Sequence, residues 1–222
     1  MPGAARLCLV LAGKNLRLEG RAGEALLVTA PLGAAALLII PIVVGTNVPL
    51  LRQVGPGMYW TVLLLFGVLV VLRQSALEGP AQVRMLRLAG VPAAVRLLGN
   101  ALASAVLLLT FGIVLAPVSV TLYNQDVGSW AWLAVVLPVV SAGLSLLGAV
   151  AEAVLSSQPL RTTLGALLIV PLALPLLLGA SQVLEAVGYD RNPVPWLLLI
   201  ITTDLILVLL VLLTGRLLED AG

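Results

Sequence analysis

Six apolar stretches recur along this 222-residue chain, each near the ~20 residues a helix needs to cross a bilayer core. They run over about 25–45, 57–74, 94–122, 130–154, 161–184 and 195–215. The chain is 61% hydrophobic and only 10% charged, whereas a soluble domain carries about 25% charged residues. The expected fold is therefore all-α: a polytopic membrane protein with six transmembrane helices in one domain over residues 1–222. Pro31, Pro41, Pro138, Pro171 and Pro175 fall inside spans, where neighbouring helices can satisfy the freed carbonyls. The third span is over-long, and Pro117 reads as a bend or break in it. Gly55-Pro56-Gly57 reads as the turn that opens the second span, with Tyr59 and Trp60 as an interfacial anchor. Trp130 and Trp132 open the fourth span, and Trp196 the sixth.

The cations set an orientation. Arg6, Lys14, Arg17 and Arg21 precede the first span; Arg73, Arg84, Arg87 and Arg96 separate the second from the third; Arg161 and Arg216 fall on the same side. Only Arg52 and Arg191 fall on the other, so ten basic residues face two. Basic loops stay cytoplasmic, which predicts that both termini and the Arg73–Arg96 loop are inside. On a helix, Arg6, Lys14, Arg17 and Arg21 lie within about 80° of arc. Residues 1–23 accordingly read as an interfacial helix with its cations on headgroups.

The Arg73–Arg96 loop holds four of the eleven arginines. Gly79-Pro80 reads as a helix start and Gly90, followed by Pro92, as its stop. The resulting helix, about 80–89, is too short to be stable alone in water. It must lean on headgroups or on a partner. Arg84 and Arg87 share one edge, and Val83, Met85, Leu86 and Leu88 supply apolar anchors.

No chemistry stands out. There is no histidine, one cysteine (Cys8), no phosphate-binding glycine loop and no nucleophile with a base. No catalytic residue, metal or cofactor is expected in this chain, and no nucleic-acid partner. The Gly148–Ala153 run, GAVAEA, reads as a small-residue helix contact. Glu152 reads as an interfacial or packing carboxylate. Asp204 lies mid-span in ITTDLI. An intramembrane carboxylate is either functional, or kept protonated, or hydrogen-bonded to Thr202, Thr203 or another span. A chain with no engine and a cytoplasmic docking loop reads as a permease driven by a separate ATPase.

Three patterns then carry a resemblance: Leu16-Arg-Leu-Glu-x-Arg21; Pro56-Gly-x-x-Trp60 with Arg73 thirteen residues later; and Pro171-Leu-x-x-Pro175 within GAVAEAVLSSQPLRTTLGALLIVPLALPLLLGAS. In order and spacing the chain resembles CcmB, the haem-exporter permease family of cytochrome c maturation. It departs in the docking loop, where Glu78 stands for the first acid and an Asp-Gly is absent, and at Asn100, which replaces a lysine. The resemblance implies an ABC-2-like permease subunit of a bacterial inner-membrane complex, present in two copies. It also implies an ATP-binding subunit and a haem-handling membrane protein as partners, with hydrolysis in the partner serving release of a haem-loaded chaperone. Glu78, Arg84, Leu86 and Arg87 are the expected ATPase-coupling residues. Without histidine the chain offers no His-ligated haem site. The competing readings are an exporter permease for a lipid, polymer or drug, and a scaffold that transports nothing.

Overall fold

The computed structural model describes residues 4–22, 24–45, 47–77, 80–125, 131–155 and 161–220. Among them eight helices follow one another: α1 (Ala4–Ala22), α2 (Glu24–Val44), α3 (Val48–Leu77), α4 (Pro80–Leu88), α5 (Ala93–Leu122), α6 (Leu133–Val154), α7 (Arg161–Gly188) and α8 (Val194–Asp220). Six of them, all but α1 and α4, are long and apolar enough to cross a bilayer. Burial sorts these six into a centre and a rim. In α6, 72% of the span is enclosed by the chain itself, against 11% in α2 and 17% in α8. α6 is therefore the central post, packed on α3, α5, α7 and α8, while α2 closes one flank against α3 and α5.

Small residues bring these helices together, because in lipid it is close packing, and not escape from water, that joins them. A side chain at Gly148 of α6 would overlap Val71 of α3, and one at Gly215 of α8 would come within 2.7 Å of the Ala94 backbone. The small-residue contact read in GAVAEA is thus an α6–α3 seam. Pro117 leaves α5 continuous, and Pro171 and Pro175 both face outward from α7.

The start of the second span differs from the sequence reading. α3 begins at Val48, not after residue 57, and runs through Gly55-Pro56-Gly57 as helix. Its start is set by Asn47, whose side-chain oxygen accepts from the Leu50 N–H at 3.4 Å and whose carbonyl accepts from the Leu51 N–H. The extra turns carry Tyr59 and Trp60 into the bundle, where they are 0% and 1% exposed. Tyr59 donates its hydroxyl to the Gly112 carbonyl of α5 at 2.9 Å, and its ring meets Trp60 edge-on at 5.0 Å. They are core residues, not an interfacial anchor. Of the tryptophans read at span starts, Trp132 is partly exposed just before α6, Trp196 is partly exposed near the start of α8, and Trp130 lies outside the described residues.

α4, α5 and α7 end alike. Each closes with a Schellman motif, in which a residue of positive φ lets the next N–H reach back to the sixth carbonyl. The positive-φ residues are Gly90, Asn124 (φ 48) and Asp190 (φ 52). The returning bonds are Val91 N–H to Leu86 O, Gln125 N–H to Val120 O and Arg191 N–H to Ala186 O.

Candidate functional site: the α4 face and the polar layer beneath it

α4 stands off the bundle on the side from which α3 leaves and α5 returns. Among the described residues it shares no extensive packing with any other helix. The Gly90 stop expected from sequence is the αL residue of its C-terminal cap. Its outward apolar residues are Met85, 70% exposed, and Leu88, 90% exposed. Leu86, an expected coupling residue, is half-buried, and its carbonyl accepts the capping bond. Arg84 is exposed. Glu78 lies outside the described residues, and Arg87 is placed in α4 by its backbone alone.

Beneath α4, at the root of α5, lies a polar layer that periodicity cannot reveal. Arg96 of α5 donates to Glu152 of α6 at 3.0 Å, with side chains only 11% and 8% exposed. Glu152 is thus a packing carboxylate whose partner lies 56 residues away. One turn further into the membrane, Asn100 accepts from the Asn15 side chain of α1 at 2.7 Å, and both are buried. Gln74, near the end of α3, is 2% exposed, and both its amide atoms lack a partner.

α1 consequently does more than rest on headgroups. Leu11, Ala12 and Asn15 are buried, and Gly99 of α5 lets the helices approach so closely that a Cβ there would sit 3.0 Å from Leu11 Cβ. Arg6, Lys14 and Arg17 remain on the exposed face as the stripe requires; the Arg21 side chain lies outside the described residues. Cys8 is half-buried on this helix, and burial pushes its thiol up from its ordinary value.

Asp204 belongs to a separate place. It lies mid-way along the α8 span, opposite Gly143 near the middle of α6 and Leu176 near the middle of α7. A side chain at 143 would overlap Asp204 Oδ1, so glycine there makes the room. That oxygen is buried and lacks a hydrogen-bond partner. Thr202 and Thr203 do not supply one: they donate to the Leu198 and Leu199 carbonyls, each at 2.8 Å. The structure brings Arg84 and Leu86 together on α4, and sets Asp204 apart from them by half a membrane.

These features define a multi-pass α-helical membrane protein with one helix projecting from its face. The chain belongs to the CcmB family: residues 6–215 match the family described as CcmB protein. It is 30% identical over 155 residues to Heme exporter protein B of Haemophilus influenzae, an alignment covering 68% of this chain and 69% of that protein. The resemblance carried by the Leu16–Arg21, Pro56–Trp60 and Pro171–Pro175 patterns is borne out.

Proposed function

We propose that this chain is the membrane-spanning permease subunit of an ABC-type complex for haem export, driven by ATP hydrolysis in a separate subunit. Family membership and the name of the Haemophilus influenzae relative support the haem assignment. The observation that carries the mechanism is α4. It is capped, it displays Met85 and Leu88, and it continues through Val91-Pro92 into α5. α5 in turn packs on α1, α2, α3, α6 and α8. A push on α4 therefore reaches five helices through one rigid element. In this reading Met85 and Leu88 fill a groove on the ATP-binding subunit in the helix-in-groove mode. Leu86 holds the helix in shape, and Glu78, Arg84 and Arg87 meet the rim.

The ten-to-two bias of basic residues supports a cytoplasmic position for α4 and both termini, and family membership supports a bacterial inner membrane. With no histidine, the chain transmits force and leaves His ligation of haem to a partner, a haem-handling membrane protein of the same complex. A second copy of this chain completes the assembly.

Affinity purification of the full chain from native membranes tests this. An ATP-binding subunit and a haem-handling protein are expected to co-purify, with a haem absorption band in the eluate. Recovery of an ATP-binding subunit with no haem and no haem protein would favour an exporter of another substrate. Recovery of neither would overturn the reading.

A further inference from the structure

On the membrane face opposite α4, a cleft of about 420 Å³ opens between the start of α3 and the end of α7. We propose that it binds the headgroup of a zwitterionic phospholipid bearing a primary ammonium. One wall is built to take an anion. Arg52, near the start of α3, donates its Nε–H to the Asn124 carbonyl at 2.8 Å. The Gln125 side chain donates back to the Arg52 carbonyl at 3.0 Å. The αL turn at Asn124 sets both contacts, and Gly55 makes room for them: a Cβ there would lie 2.9 Å from Tyr123 Cβ. The guanidinium is thus held by its inner nitrogen, and among the described residues its two Nη groups have no partner. The positive end of the α3 dipole adds to this wall.

The other wall takes a cation. Glu185, in the last turn of α7, accepts from Gln182 at 3.0 Å on Oε2 and, among the described residues, keeps Oε1 unengaged. It stands at the negative end of the α7 dipole, and Tyr189 borders it. Arg52 and Glu185 form no ion pair with each other, so the cleft presents two separated and opposite charges. Between them lie Pro49, Pro56 and Leu184, an apolar floor suited to a glycerol backbone and the first acyl methylenes.

This dipolar order selects among ligands. Phosphoethanolamine offers a phosphate to Arg52 and three N–H donors to Glu185. Choline has no N–H to give. An anionic lipid leaves Glu185 facing a like charge. The cleft lies at span ends, at headgroup depth, so its ligand is a lipid of the surrounding bilayer. The proposal does not depend on which leaflet faces the cytoplasm, nor on the transported substrate.

The test is lipid retention by the full chain, purified from nanodiscs of equal phosphatidylethanolamine, phosphatidylcholine and phosphatidylglycerol, delipidated stepwise and read by native mass spectrometry. Phosphatidylethanolamine is expected to be retained about tenfold over the other two, the ratio that one charge-assisted hydrogen bond supports. Glu185→Gln and Arg52→Gln should each remove most of that preference, and Arg52→Lys should keep it. Glu185 is exposed, so its variant reports even where Arg52→Gln disturbs folding. Equal retention of the three lipids would overturn the proposal, as would an unchanged preference in Glu185→Gln. Equal protection by soluble phosphoethanolamine in lipid-free detergent would overturn the assignment to a lipid.

Discussion

Arg96 and Glu152 are the residues on which the α5 root depends, and the cost of separating them is asymmetric. Removing one charge leaves the other nine-tenths buried, a loss of about 3–5 kcal/mol for a fully enclosed pair; removing both avoids leaving either charge of this pair facing the other's empty place. Glu152→Gln should therefore lower stability in a detergent unfolding assay by up to about 3 kcal/mol, and Glu152→Gln with Arg96→Met should recover most of it. Gly143 and Asp204 make a second coupled pair. Gly143→Ala puts a methyl onto Asp204 Oδ1 and within 2.8 Å of a Leu176 methyl, so it should destabilise the wild type and do less, though not nothing, in an Asp204→Ala background. Additive losses would contradict the placement of Asp204 against α6. Asp204 itself is legible in the sequence, because an ionisable group amid an apolar span draws the eye. Its neighbour is not, since nothing local in α8 points to a glycine 61 positions earlier. The Arg96–Glu152 pair is hidden for the same reason.

At the scale of elements, what reads correctly is what local chemistry decides. Pro80 opens α4 and Gly90 closes it because proline suits a first helical turn and glycine an αL cap. The start of α3 reads wrongly because Gly-Pro-Gly is turn chemistry in water. Within a bundle, packing across Gly55 and the partners of α5 hold the same residues as helix. Tyr59 and Trp60 follow from that shift, since the nine helical residues 48–56 added ahead of them turn a span end into a span interior. The small-residue seams give a direct check. Gly148→Leu should prevent α6 from seating on Val71 and abolish recovery of folded protein on size exclusion. Gly57→Ala, where a Cβ meets nothing within 4 Å, should be neutral or slightly stabilising, as alanine is the better helix former.

The molecule as a whole is a central helix, α6, with α5 at its side and the projecting helix α4 at one end of α5; in the proposed function α4 docks the ATP-binding subunit and α5 transmits. Reporter fusions at Asn47, Gly90 and Asp190 should read outside, inside and outside. Inside at Asn47 would invert the orientation. In the proposed function α4 receives the ATP-binding subunit through Met85 and Leu88. That contact is tested most directly by co-purifying that subunit with the full chain carrying Met85→Asp and Leu88→Asp, beside Arg84→Glu with Arg87→Glu. Buried anchors hold affinity and rim charges tune it. The aspartates should abolish co-purification and nucleotide-dependent association, while the arginine reversals should weaken both in a salt-sensitive way. Co-purification unchanged by the two aspartates, in protein that remains folded, would contradict docking through α4.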